Sequence, residues 1–236
     1  MTGAVYRLDG TLTLERRGLR DRVYELVLDM LMRSGIEPGS RLSIDTIARD
    51  LGVSPTPVRE ALVQLERTGL VTREAHKGYR VAPPISDGQL EALFDARLVL
   101  ETGATALAAK NSELLPVLEE ALAQHRTMTQ RVEEASAHGD IPVDLLREYF
   151  AADWNFHHEI FQSTNNPFLI DMSEAISTRV HRMRQTVSSG VSDAGDAVSE
   201  HTAIAAAFTI SPEAASAAMR EHINRVRERS RRDATR

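Results

Sequence analysis

Side chains able to ligate a metal ion recur on the apolar faces of three helical stretches in the second half of the chain. Over residues 142–163, Leu146, Phe150, Asp153, His157, Ile160 and Phe161 share one helical face, which turns Asp153 and His157 inward as an i, i+4 pair. Over 191–208 the shared face is Val198, His201, Ile204, Ala205 and Phe208, and over 212–230 it is Ala215, Met219, His222 and Val226. Burying one carboxylate and three imidazoles separately costs on the order of a few kcal/mol apiece. Convergence on a single divalent ion removes that cost. One Asp and three His form an oxygen and nitrogen set suited to Zn(II) above all, with Ni(II), Mn(II) or Fe(II) also compatible. The chain has no cysteine, so a thiolate site is excluded. A lone inward histidine is more often a hydrogen-bonded core residue, but four ligand-type groups on three helices point to an ion. His158 and His181 fall off these stripes and are expected to stand outside the site.

Arg97 interrupts another apolar stripe, formed by Leu90, Leu93, Phe94, Leu100 and Ala104. It either pairs with Glu101 one turn later, or it anchors an anionic ligand, since a guanidinium grips a carboxylate through two parallel hydrogen bonds. A metal with open positions can also activate water. The alternative function is therefore a helical-bundle metalloenzyme acting on a small organic acid. Against it, no inward carboxylate or histidine beyond the ligand set is apparent to serve as general base.

A different chemistry is written into the first third. Leu42-Ser-Ile-Asp-Thr-Ile-Ala-Arg-Asp-Leu-Gly-Val53 reads as a short helix with Ser43 as its N-cap and Gly52 as its stop. Ala48 and Gly52 are expected at a helix crossing that admits only small side chains. Ser54-Pro-Thr-Pro-Val-Arg-Glu-Ala-Leu62 then opens a second helix, whose prolines fall in the first turn where backbone N–H groups lack intrahelical partners. Val58, Ala61, Leu62 and Leu65 form its inward stripe. Ser54, Thr56 and Arg59 remain at the outward N-terminal end, where hydroxyls suit phosphates and arginine suits guanine or phosphate. Leu70–Arg73 and Tyr79–Val81 read as two short strands around a tip at Lys77-Gly78 able to touch phosphate or a minor groove. Two helices on a tight turn followed by a two-stranded wing make a DNA-reading helix-turn-helix. The plainer alternative pairs Arg59 with Glu60 or Glu66.

These residues must be carried by two bodies. Residues 1–14 lack a period and are expected to be a flexible arm. Residues 15–84 form the winged helix-turn-helix, with a first helix from Leu19 on Val23, Leu26, Val27, Met30 and Leu31, ending at Ser34-Gly35. Pro83-Pro84 marks the boundary. Residues 85–230 read as helices at about 86–110, 113–137, 142–163, 167–186, 191–208 and 212–230, with breaks that include Asn111, Gly139, Asn165-Asn-Pro167 and Gly190. Residues 231–236 are a tail. The fold class is mostly α: an N-terminal winged helix-turn-helix followed by an antiparallel α-helical bundle. The net charge of −6 is split unevenly, with 13 basic against 11 acidic residues up to position 84 and 15 against 23 beyond it. That balance fits a DNA-binding part on a partner that does not bind DNA. The arginines between Asn224 and Arg236 read as a solvated helix end rather than a phosphate-binding patch. No signal peptide and no membrane-length apolar run are apparent, so a cytoplasmic protein without membrane contact is expected.

Pro38-Gly-Ser-Arg-Leu42, the Ser54–Leu62 stretch with its following Gly69-Leu-Val71, and the wing Lys77-Gly-Tyr-Arg-Val81 resemble the winged helix of GntR-family bacterial transcription regulators. That resemblance implies a homodimer on palindromic operator DNA, with Arg41 joining Ser54, Thr56, Arg59, Lys77 and Gly78 at the DNA. Phe94-Asp-Ala-Arg97 with Glu101, Asp153-x-x-x-His157, Ser163-Thr-Asn-Asn-Pro-Phe-Leu169, Glu200-His-Thr-Ala-Ile204 and His222 resemble the FCD type of effector domain. This second resemblance implies a divalent metal on Asp153, His157, His201 and His222, and a small carboxylate or sugar-acid effector beside it. Arg97 is its implied effector contact. Together they imply a metabolite-responsive regulator, most often a repressor, and not an enzyme.

Overall fold

The computed structural model describes residues 10–33, 36–67, 69–75, 77–83, 85–139, 141–186 and 193–234, and the chain separates into two compact units, 1–83 and 84–236. Arm residues 1–9, the breaks expected at Ser34-Gly35 and Gly190, Pro84, the side chain of His181 and the last two tail residues lie outside what is described.

In the first unit, α1 (Gly10–Arg33) begins well before Leu19. The arm expected over 1–14 is thus helical from Gly10 onward, because Leu14, Glu15 and Arg16 are good helix formers and no proline interrupts them. Val23 and Val27 of α1 are buried, whereas Leu19 and Leu26, expected on the same stripe, are 46% and 43% exposed. The seam is narrower than the pattern suggested. Strand β1 (Arg41–Leu42) precedes α2 (Ile44–Leu51), whose Ser43 cap accepts a hydrogen bond from the Thr46 N–H. Gly52 closes α2 at φ 66°, but no atom outside its own neighbours lies within 4 Å of where a Cβ would sit. Its glycine therefore serves the left-handed backbone, not a crowded crossing. Ala48, by contrast, is buried.

Helix α3 (Pro55–Arg67) buries Val58, Ala61, Leu62 and Leu65 completely, as its stripe requires. Strands β2 (Val71–Glu74) and β3 (Gly78–Val81) form the wing, and β1 adds a third strand in the order β1-β3-β2, all antiparallel. Two residues are too few for β1 to show an alternating pattern in sequence. Leu42 and Tyr79 face each other across β1 and β3 and are both buried.

The second unit consists of α4 (Asp87–Ala108), α5 (Leu114–Ala137), α6 (Val143–Ser163), α7 (Pro167–Thr186), α8 (Ala194–Phe208) and α9 (Pro212–Ala234). Ser86 and Gln89 close a reciprocal capping box at the start of α4. Phe94, Leu118, Phe156, Ile160, Ile204 and Ile223 are among the side chains that fill the interior. Helix α9 runs to Ala234 instead of stopping at 230. Arg225, Arg231 and Arg232 are solvated there as expected, but the helix end is also tied down: Arg227 binds Glu91 and Asp95 on α4, and Arg231 binds Glu91. Among the described residues no helix is long and apolar enough to cross a membrane.

Candidate metal centre and nucleic-acid face

The interior of the second unit holds a polar cluster whose first members come from three helices. Helix α6 supplies Asp153 and His157, α8 supplies His201 and α9 supplies His222, all at most 2% exposed. One ring nitrogen from each of His157, His201 and His222 lies within 4.8 Å of the others. The Nε2 atoms of His157 and His201 are 3.1 Å apart. His222 Nε2 is buried without a hydrogen-bond partner. Asp153 lies alongside, its Oδ1 4.0 Å from His201 Nε2. Three of the four residues singled out by sequence, His157, His201 and His222, thus fall in one group, and Asp153 adjoins it through His201. Asp153 groups most closely with His201 and a fifth residue, His125 of α5, which is fully buried.

The outer nitrogens explain how the rings are aimed. His157 Nδ1 lies 2.8 Å from Glu101 Oε2, and His222 Nδ1 lies 2.8 Å from Glu200 Oε2. Each carboxylate is in turn held by an arginine. Arg97 Nε donates to Glu101 at 2.6 Å, and Arg229 donates to both oxygens of Glu200 at 2.7 and 3.0 Å. The Arg229–Glu200–His222 relay fixes Nδ1 as the protonated nitrogen of His222 and leaves its Nε2 to the cluster, while His157 Nδ1 meets the Arg97-held Glu101 at ion-pair distance without hydrogen-bond geometry. His201 is stacked on Phe156, with ring centroids 4.3 Å apart and planes 9° from parallel. Its Nδ1 meets His125 Nδ1 at 3.1 Å.

The electrostatics favour neutral imidazoles, the form that binds metal. Burial, and then the neighbouring His157 and His222, hold His201 well below the usual histidine range. Burial outweighs the Glu200 hydrogen bond at His222 and brings it down to about 4. Burial alone would raise Glu200, but hydrogen bonds from Arg229 and His222 prevail and lower it to about 2. Glu101 is likewise held below the usual carboxylate range, its burial overcome by Arg97 and His157.

Arg97 takes the first of the two alternatives open to it. It pairs with Glu101, and both side chains are 1% exposed, so this is no surface pair. Its Nη1 is buried without a hydrogen-bond partner, and its charge lies close enough to disfavour protonation of His222. His158, expected outside the site, is partly exposed and within hydrogen-bond distance of Gln162 on its own helix. The expectation that no inward carboxylate or histidine accompanies the ligand set is overturned: Glu101, Glu200 and His125 all do. Each lies on a buried stripe that sequence could have flagged. Leu118, Ala121, Leu122, His125, Thr129 and Val132 mark the inner face of α5, and Ala197, Glu200, His201 and Ile204 that of α8.

In the first unit, Ser54, Thr56 and Arg59 are exposed at the start of α3, and Arg59 forms no ion pair with Glu60 or Glu66. A groove of about 550 Å³ follows α3, lined by Arg59, Val63, Gln64, Arg67 and Arg20 of α1. Glu60 lines it too, and Arg20 and Arg67 are cations on this face that the sequence reading did not name, Arg20 being paired with Asp21 at 2.8 Å. Arg41 is exposed on β1, opposite Arg80. Gly78 begins β3 at φ 88°, and Lys77 beside it is exposed, 3.6 Å from Glu74. Arg80 braces the wing by donating to the Gly39 carbonyl at 2.8 Å and pairing with Glu74 at 3.0 Å.

Comparison with known proteins agrees with this division. The family described as "Bacterial regulatory proteins, gntR family" matches residues 19–81, and the FCD domain matches residues 92–225. The chain is 28% identical to the HTH-type transcriptional regulator McbR of Escherichia coli, over 73% of each chain. It is 27% identical to a probable D-xylose utilization operon transcriptional repressor of Paenarthrobacter nicotinovorans, over 89% of this chain and 88% of that one. Among solved structures, a putative GntR regulator from Rhodococcus sp. RHA1 has a TM-score of 0.68 at 21% identity, covering 89% of this chain and 96% of the other. The structure of E. coli McbR/YncC has a TM-score of 0.67 at 21% identity, covering 92% and 98%. These neighbours share the fold. The relatives are transcription regulators, and with them the metalloenzyme alternative falls away.

Proposed function

This chain belongs to the GntR family of bacterial transcription regulators and carries the family's FCD domain, and from that premise we propose a metabolite-responsive repressor whose helical unit binds a divalent metal and a small carboxylate or sugar-acid effector. The observation that carries the metal reading is the buried convergence of His157, His201 and His222, each offering a ring nitrogen within 4.8 Å of the others, with Asp153 beside His201. Asp153, His157, His201 and His222 hold the ion, with zinc the favoured species for a nitrogen-rich buried set. When bound, the metal supplies a Lewis-acid centre for an effector oxygen. Arg97 offers the two N–H groups of Nη1 to the effector's carboxylate.

The regulator acts in the cytoplasm as a homodimer on palindromic operator DNA, with two recognition helices spaced about one turn of the duplex. Ser54, Thr56 and Arg59 read the groove, while Arg41, Lys77 and Gly78 contact the backbone from the sheet and the wing. Effector binding changes operator affinity through a coupling of about 1–3 kcal/mol, enough for a useful change in occupancy. The test is genome-wide footprinting in the native host with metabolic state varied. Operator binding is then titrated with candidate carboxylates in the presence and absence of a chelator. A few palindromic sites, released by one carboxylate only while metal is present, support the reading. No reproducible sites, or an effector response indifferent to chelation, contradict it.

A further inference from the structure

Each imidazole of the proposed metal set needs a partner on its outer nitrogen, and for His201 that partner is not a carboxylate. His157 faces Glu101 and His222 faces Glu200, each at 2.8 Å, while His201 Nδ1 faces His125 Nδ1 at 3.1 Å. We propose that His125 is a positioning residue of the metal centre, an uncharged stand-in for the third carboxylate that fixes the proton of His201 on Nδ1 and aims its Nε2 at the ion. The inference rests on the metal reading given above.

With an ion drawing on Nε2 of both His157 and His201, which lie 3.1 Å apart, the proton inventory leaves one arrangement. For His201 Nε2 to present a lone pair to an ion, its proton must sit on Nδ1. The contact at 3.1 Å then requires His125 Nδ1 to accept, which places the His125 proton on Nε2. That nitrogen lies 3.6 Å from Asp153 Oδ1, oriented toward the fourth ligand. His125 thus spans two ligands from different helices, His201 on α8 and Asp153 on α6, while standing on a third, α5. Tyr149 packs against its ring with centroids 5.4 Å apart, which limits how far it can turn. A glutamate at 125 could also accept from His201, but it would set a further negative charge beside Asp153. A neutral imidazole supplies the acceptor without that charge.

The probe is zinc, titrated into full-length protein stripped of metal, with affinity read by competition against a chelating dye. His125→Leu removes the acceptor at similar volume. His125→Gln keeps it, since an amide oxygen can accept from His201 while its N–H₂ points to Asp153. The wild type is expected to bind one zinc per chain. The Leu variant should still bind one, about 10–100-fold more weakly, as for other outer partners of metal ligands. The Gln variant should recover to within about threefold of wild type. Substituted Co(II) should give the same absorption envelope in all three, because the ligands themselves are unchanged. If the Leu variant does not fold, His125→Asn, too short to bridge both partners, takes its place with the same expected loss. Equal affinity in wild type and the Leu or Asn variant overturns the proposal. So does a wild type that binds two ions where the variant binds one, which would make His125 a ligand. A wild type that takes up no zinc overturns the metal reading itself, and the role of His125 with it.

Discussion

The two units of this chain bury opposite things. The first encloses an aliphatic core, with Val58, Ala61, Leu62 and Leu65 all at 0% exposure, and sets its functional side chains outside it. The second encloses Arg97, Glu101, Asp153, His125, His157, Glu200, His201 and His222 among the apolar side chains of a bundle. A DNA-reading surface can be altered residue by residue without disturbing the fold that carries it, because its groups are solvated whether or not DNA is present. A buried polar centre has no such independence. Its carboxylates and imidazoles lean on one another, and loss of one partner strands another away from water.

The sharpest way to expose that contrast is to strand a charge. Glu101→Ala leaves the Arg97 guanidinium buried without its carboxylate and is expected to destabilise the second unit by about 3–5 kcal/mol in urea unfolding. A loss below about 1 kcal/mol would mean that the charge reaches solvent easily and the relay is not structural.

Acid should separate the units next. His222 is brought down to about 4 in the fold, by burial first, against an ordinary value of 6.5. Between those values the unfolded chain binds a proton that the folded chain refuses. The His222 contribution to the metal-free second unit therefore falls as pH drops from 6.5 and levels off below about 4, a loss on the order of 3 kcal/mol, and the depressed Glu200 carries the fall to lower pH. His201, shifted in the same direction, adds to the loss. Urea midpoints that stay flat across that window would contradict the burial of neutral imidazoles.

On the exposed side, Arg59→Ala should weaken operator binding by about 1–3 kcal/mol if it reads a base, with unfolding free energy changed by no more than about 0.5 kcal/mol. Operator titrations and urea melts of the same variant check both halves of that statement. The smallest effect sharpens the account of the helix-turn-helix itself. Gly52→Ala should cost about 1 kcal/mol, because its backbone sits at φ 66° while the space around it is open. A much larger loss would restore the crowded crossing that the sequence suggested.

The same contrast governs what could be read from sequence. The helix-turn-helix is a local object, so Ser43, Gly52 and the stripe of α3 announce their roles through spacing within a few residues. Strand β1 escaped because two residues carry no period and its pairing with β3 spans the whole motif. In the bundle, inward positions were legible helix by helix, and Asp153, His157, His201 and His222 followed from them. Their partners were harder to see, since a relay such as Arg229–Glu200–His222 joins groups that no spacing rule connects. His125 had a signal all the same, a histidine on the buried face of α5, but no second ligand-type residue on that face drew attention to it.

The central claim is that the buried polar groups of the second unit exist to hold an ion. The most direct test is the metal content of protein purified from its host and of its His201→Ala variant, measured by elemental analysis per mole of chain. One divalent ion in the wild type, lost in the variant while the variant still binds operator DNA, is the predicted result. Metal-free wild-type protein that takes up none when offered zinc, or a variant as fully loaded as the wild type, would contradict it.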